Sequence, residues 1–362
     1  MNRSDSTYLS QIDIIKALAI FCVIILHSFD SKSLNNVIGY FLFNQAVPIF
    51  CILLGYNFVL SMKKRHLLSF SLYLKVRFRR ILFPFILVFI GQIIILAFLW
   101  FVGIKKLAFS PLYFIGMLPI SGPGNYFISL LFQFIILAPF WYKLYQKNKY
   151  ATFVLSYGVS FAFEIISVTL FSQQTLYLYN ACIVRYLVAI TLGFWLVDNK
   201  EKLGCWFSVG IILSVFYIFS IDMLKWKMPF FRIEWVDQNF ISFLYPAFLI
   251  VLGIQFLPKN SVNKLFPIKL LMTVGKLSFH IFLVQICYFS IAQFIQGVVR
   301  IPLINLTSFF QIGWILNIGT CILFGYLFML FSEYVASRIF VPNSNFMERT
   351  SFLNQLKKLR IK

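Results

Sequence analysis

The chain has 362 residues, of which 60% are hydrophobic and only 12% charged. A soluble domain of that length has no way to hide so much apolar surface, so a water-soluble globule is excluded. The 32 Lys and Arg against 11 Asp and Glu, a net charge of +21, fit basic loops facing anionic lipid; without a recognisable binding module they do not indicate nucleic acid.

The apolar runs lack the period-two alternation of a transmembrane barrel, and they are long enough to cross about 30 Å of hydrocarbon as helices. The expected fold is all-α: a polytopic integral membrane bundle of about ten transmembrane helices across residues 1–342, followed by a basic tail at 343–362. Its localisation is the cell membrane. The six cysteines lie mostly in apolar runs without a CxxC pair, so they read as small buried hydrophobes. Neither a disulfide framework nor a bound metal is expected.

The first apolar run, 12–30, is not a cleaved signal peptide, because Asp13 sits at its start and no small-residue cleavage site follows. It carries Asp13, Lys16 and His27. Ionisable groups in a membrane segment are costly and are functional candidates by default. Asp13 and Lys16 share one helical face, either as an ion pair at the interface or as part of a site. His27 returns to nearly that face about 21 Å further along the axis. An imidazole there serves either as hydrogen-bonding glue between helices or as a general base on a hydroxyl.

The later runs are 39–61, 81–102, 124–142, 151–171, 181–197, 204–223, 240–257, 270–297 and 309–335. The ninth is long enough to tilt or kink. The apolar piece 107–120 contains Pro111, Gly116 and Pro119 and reads as re-entrant or interfacial.

With the N-terminus inside, cytoplasmic segments hold about 22 of the Lys and Arg residues and outer loops about seven, so both termini are expected in the cytoplasm. The first of these basic segments holds Lys63, Lys64, Arg65 and His66, then Lys75, Arg77, Arg79 and Arg80 shortly before Pro84. Such a cluster is either a topogenic loop on lipid headgroups or a clamp for phosphates. In the tail, Leu353, Leu356 and Leu359 alternate with basic residues, as in an amphipathic helix on the inner leaflet. The outer loop 224–239 holds Trp226, Glu234, Trp235 and Asp237.

Arg185, near the outer end of the sixth run, either holds an acceptor or pairs with Glu164. Tyr126, Gln133 and Gln285 either line a polar cavity or satisfy one another, and His280 reads as a packing residue. Basic cluster and histidine together suggest a cofactor with a phosphorylated head at the cytoplasmic mouth and a long arm reaching toward His27.

These residues also fall into a pattern. Asp13-x-x-Lys16-Ala17-x-Ala19 followed by His27 resembles the opening signature of the acyltransferase-3 family of integral membrane acyltransferases, with Lys16 in place of the usual arginine. Ala46-Val47-Pro48-Ile49-Phe50 with Gly55-Tyr56 is similar to the second-helix segment, and Arg77-x-x-Arg80-Ile81-x-x-Pro84 to the basic motif before the third helix. Asn125-Tyr126-Phe127 to Gln133, Arg185-Tyr186 with Gly193, and Gly275 to Gln285 resemble three later elements. Gln285 stands where many members have histidine. The resemblance runs from about residue 10 to 335 in order and spacing.

What the resemblance implies is an O-acyltransferase, most often an O-acetyltransferase. It would move an acyl group from cytoplasmic acetyl-CoA to a hydroxyl of a cell-surface polysaccharide, a lipid-linked precursor or another glycolipid. In that picture His27 is the catalytic base and Asp13 with Lys16 shapes the site electrostatically. Arg77 and Arg80, with Lys75 and Arg79, bind the CoA phosphates, while Arg185, Tyr126, Gln133 and Gln285 form the acceptor side. The rival reading is a transporter or flippase for a lipid-linked sugar or small anion, with the same buried charges lining a path.

Overall fold

The computed structural model describes residues 9–29, 33–64, 70–103, 109–171, 175–199, 204–227, 231–232, 238–258, 265–299 and 313–340. His66, the residues Glu234, Trp235 and Asp237, and the tail 343–362 lie outside the described residues.

The described chain is helical, without strands. Its elements are α1 (Ser10–Ser28), α2 (Ala46–Lys64), α3 (Phe70–Arg77), α4 (Phe83–Phe101), α5 (Tyr126–Lys147), α6 (Lys149–Leu170), α7 (Leu176–Ala181), α8 (Leu187–Asn199), α9 (Cys205–Ile218), α10 (Leu244–Phe256), α11 (Phe266–Val299) and α12 (Trp314–Phe340). Three π-helical turns, Gly39–Phe43, Phe78–Leu82 and Phe219–Met223, extend α2, α3 and α9. Among the described residues, eight helical rods are long and apolar enough to cross a membrane. All ten runs expected from sequence correspond to helical segments, and the two that fall short as single rods are the sixth and the eighth.

The sixth run is broken. It starts on the last residue of α7, passes through a 3-10 turn at Ile183–Tyr186 and continues as α8. A break at membrane depth frees backbone groups that water does not reach. Gln133 of α5 takes them up: its Nε2 donates to Ala181 O at 2.7 Å, and its Oε1 accepts from Ile183 N at 3.1 Å. Ser160 of α6 donates to Val184 O at 2.9 Å. The sequence pattern carried no sign of the break, because its backbone partners come from two other helices.

The ninth run is one unbroken 34-residue helix, α11. The third begins earlier than expected, as a continuous rod over Phe70–Phe101, so the basic cluster sits within a helix rather than in a loop before one.

Several contacts fix which ends meet. Asp198 at the end of α8 accepts from Lys63 at the end of α2 (2.5 Å) and Lys149 at the start of α6 (2.9 Å). Ser10 at the start of α1 donates to Pro258 O, just past α10. The Arg79 guanidinium lies 5.6 Å from the ring of Phe340, the last residue of α12. The segments therefore alternate in direction, and one end of the bundle gathers Lys63, Arg77, Arg79, Arg80 and Lys149.

Depth within the bundle differs between helices of nearly equal hydropathy. In α1, 61% of the apolar stretch is buried inside the protein, against 22% in α6. Ala17, Ala19, Ile20 and Ile24 of α1 are almost fully enclosed. Peripheral helices instead turn Ile94, Phe98, Val154, Ile212 and Leu316 outward, as lipid contact requires.

Two crossings are closed by glycine. A Cβ at Gly275 of α11 would fall 1.7 Å from Asp13 O. A Cβ at Gly193 of α8 would fall 2.1 Å from Ile52 O of α2, and one at Gly55 would fall 2.2 Å from Ile190 O. Such small-residue contacts let helix backbones approach in a membrane, where no hydrophobic force joins them. Gly193→Val is therefore expected to force α2 and α8 apart and cost about 1–3 kcal/mol or more. A lowered melting temperature of the detergent-purified protein, relative to Gly319→Val at a position with open space, checks this.

Candidate active site

His27 lies in the last turn of α1, partly exposed. Its neighbour across the interface is the face of α11 that carries Phe282, Gln285 and Phe289. The imidazole meets the Phe289 ring edge-on, with centroids 6.1 Å apart. Asp13 faces Gly275 and His27 faces Phe289, fourteen residues further on in both helices, so α1 and α11 run parallel in register.

A turn at Gly122-Pro123-Gly124 comes in from the third side. Gly124 has φ +83°, which favours glycine, and a Cβ there would lie 3.7 Å from His27 Nε2 and 3.3 Å from Phe282. Gln285 is fully buried, with Nε2 3.5 Å from Pro123 O. Its Oε1 has no hydrogen-bond partner among the described residues. Buried polar atoms are normally satisfied, and Gln285 leaves an amide oxygen open at the turn that also meets His27.

The turn is itself anchored. Asn125 Oδ1 accepts from Leu118 N at 3.3 Å, and Gln92 of α4 accepts from Ile120 N at 2.8 Å. The apolar piece 107–120, expected to be re-entrant or interfacial, forms a short 3-10 turn at Pro111–Ile115 with Phe114 exposed; beyond it Leu118 is fully buried. Its role in the site, delivering Gly124 to His27, was not read from the sequence, although Gly-Pro-Gly is a turn signal.

Arg185 sits in the break of the sixth segment and is 1% exposed. Its Nη1 donates to Asn180 Oδ1 at 2.9 Å and its Nη2 to Gln238 O at 2.9 Å. Its Nε is 3.7 Å from Glu164 Oε1. Tyr179 completes the pair by donating to Glu164 Oε2 at 2.7 Å, beneath the guanidinium at 4.6 Å. Of the two roles open for Arg185, the structure builds the pairing with Glu164. Arg232, not singled out from sequence, lies over the same Tyr179 ring and donates to Ser167 O and Phe171 O at the end of α6.

Tyr186 connects this network to the site. It lies within 3.4 Å of Arg185 Nη1 and is hydrogen-bonded to Tyr126. Tyr126 follows Gly124 by two residues. Arg185, Tyr186 and Tyr126 thus form one line ending at the turn beside His27. Gln133 is engaged by the backbone of the broken segment and stands apart from that line. His280 packs between α11 and α12, with Nε2 3.3 Å from Ser332 Oγ.

At the basic end, Lys16 Nζ is 3.2 Å from Asp13 Oδ1, the ion pair that the spacing allowed. Arg77 lies over the Tyr73 ring at 5.3 Å. Arg79 turns toward Phe340 and the charge of Glu333, whereas Lys75 and Arg80 are exposed. Arg77 closes α3 and Arg80 lies within the π turn at Phe78–Leu82, so the spacing between them is not that of a regular α-helix.

The basic end and the histidine are at different depths. Gln92 Nε2 contacts Cys287 Sγ of α11, which places Gln92 level with the Gln285–Phe289 stretch. Arg80 is twelve residues earlier on the same rod, about 18 Å along its axis.

A multi-helix membrane bundle that brings a partly exposed imidazole, an unmatched amide oxygen and a glycine turn together defines an integral membrane protein with an internal polar site. The family model for an acyltransferase domain, that of the acyltransferase-3 family, matches residues 9–336. The chain belongs to that family and is a membrane acyltransferase. No curated protein and no solved structure gives a match.

Proposed function

We propose that the protein is an O-acyltransferase, in first place an O-acetyltransferase, that uses acyl-CoA from the cytoplasm and acylates a hydroxyl of a cell-surface polysaccharide or its lipid-linked precursor. The observation that carries this reading is His27, held partly exposed against the Gly124 turn and the Gln285 face of α11, in a chain of the acyltransferase-3 family. The basic end is the cytoplasmic one, as the excess of Lys and Arg there favours.

In this mechanism a ring nitrogen of His27 takes the proton of the acceptor hydroxyl as its oxygen attacks the thioester carbonyl. The C–O bond forms, the C–S bond breaks, and the departing CoA thiolate recovers the proton from the imidazolium. Gln285 Oε1 accepts a hydrogen bond from a second O–H or N–H of the acceptor, which orients the attacked hydroxyl. Asp13 and Lys16 act at the cytoplasmic mouth, too far along α1 to touch the imidazole. Arg185 acts on the acceptor side indirectly, through Tyr186 and Tyr126, and Gln133 through the broken segment that carries Arg185.

Arg77 and Arg80, assisted by Lys75 and Arg79, hold the phosphates of the donor. The rise of about 18 Å to the level of His27 suits a donor with a charged head and a long thin arm. Removing both arginine charges (Arg77→Gln with Arg80→Gln) is expected to raise KM for acyl-CoA roughly 10- to 100-fold with little change in kcat, as lost charge-assisted bonds do. Steady-state kinetics on purified protein check this; an unchanged KM would remove the cluster from donor binding.

A further inference from the structure

Next to His27 a hydrogen-bonded chain joins three helices. The Tyr288 hydroxyl donates to Asn317 Oδ1 at 2.9 Å, Asn317 Nδ2 donates to Ser28 Oγ at 3.0 Å, and Ser28 Oγ donates to Ile24 O at 2.7 Å. Donor and acceptor roles are consistent at every step, with Asn317 using both ends of its amide. Asn317 is fully buried in α12 and Ser28 is 3% exposed.

The chain grips the imidazole from two sides. Ser28 is the residue after His27 and closes α1, whose backbone leaves the helix at Phe29 with ψ 155°. The last turn of a helix frays unless it is tied down, and Ser28 is its tie to α12. Tyr288 precedes Phe289, the ring against which His27 leans, and the Tyr288 and Phe289 rings are 5.2 Å apart. One amide on α12 therefore fixes both the backbone that carries the imidazole and the aromatic wall behind it.

We infer that Asn317 is a positioning residue for His27, acting through Ser28 and Tyr288. This rests on the assignment of His27 as the base in acyl transfer. A buried asparagine in a membrane helix also serves as glue between helices, so the test must read chemistry separately from folding.

The experiment compares Asn317→Leu, Tyr288→Phe, Ser28→Ala and Ser28→Thr with wild type and His27→Ala, measuring kcat and KM per monodisperse, folded molecule. Asn317→Leu is expected to lower kcat by roughly 10- to 100-fold, the scale of a small misplacement of a reacting group, while KM for acyl-CoA changes by less than about twofold. Ser28→Ala should lower kcat in the same way, and Ser28→Thr, which keeps the hydroxyl, should recover most of it. Tyr288→Phe should give a smaller loss, because the link from Asn317 to Ser28 survives.

Wild-type kcat in both Asn317→Leu and Ser28→Ala would overturn the inference, as would Ser28→Thr being as impaired as Ser28→Ala. If Asn317→Leu does not fold, the Ser28 pair decides the matter. Activity in His27→Ala would instead reject the underlying role of His27, a separate outcome in the same experiment.

Discussion

His27→Ala is expected to lower acyl transfer by about 10²–10⁴-fold, the contribution of a positioned general acid–base group. Membrane insertion and the elution profile in detergent should be unchanged. The substitution leaves the enclosed part of α1 intact, since its buried contacts run through Ala17, Ala19, Ile20 and Ile24. Alanine also removes the edge contact with Phe289, a loss that a bulkier apolar substitution, His27→Leu, would partly replace. Both variants should be inactive if the nitrogen matters. Recovery in the leucine variant would show that only packing was lost. On the proposed reading the KM for acyl-CoA should change little in either, because the donor's charged head would bind about 18 Å away, at the Arg77–Arg80 segment before α4.

The largest loss of stability is expected at Arg185. Arg185→Ala leaves Glu164, 2% exposed, without its nearest cation and with only the Tyr179 hydroxyl and the more distant charge of Arg232, at a cost of up to about 3–5 kcal/mol. Asn180 and the carbonyl of Gln238 lose their donor as well. The paired change Glu164→Gln with Arg185→Met should recover much of this, because replacing a whole buried ion pair is far less damaging than halving it. Thermal unfolding in detergent checks the order: wild type near the double variant, and the single variant well below both. Activity should fall in the single and the double variant alike, since both lose the Arg185–Tyr186–Tyr126 line that ends at the Gly124 turn. A single variant as stable as wild type would mean that Glu164 finds another partner.

The membrane bundle was legible because lipid imposes one demand on every span: about 20 apolar residues in a form that satisfies its own backbone. All ten runs reappear as helical segments for that reason. What escaped is where the demand is met by another part of the chain. The break at Cys182 is tolerated because Gln133 and Ser160 supply bonds from α5 and α6, and no local pattern announces a remote partner. The same holds for the Gly124 turn and for Asn317, a polar residue in an apolar run whose contacts appear only when Ser28 and Tyr288 meet it.

Of the candidate residues, His27 and Gln285 both meet the Gly122–Gly124 turn, whereas the Tyr126 side chain turns toward Tyr186. The spacing from Arg77 to Arg80 crosses from α3 into the π turn at Phe78–Leu82, which α periodicity alone does not announce. Lys16 and Asp13 remain where periodicity put them, because both belong to the first turn of one helix.

Acyl transfer and solute movement by this bundle are separated in one assay. The direct measurement reconstitutes the purified protein in sealed vesicles, with labelled acetyl-CoA on the side of the basic end and an envelope glycan or glycolipid available as acceptor. Label is expected covalently on the glycan with wild-type protein and none above background with His27→Ala. Passage of the glycan across the membrane, independent of acetyl-CoA and without label on it, would rule out acyl transfer to that glycan and favour a transporter.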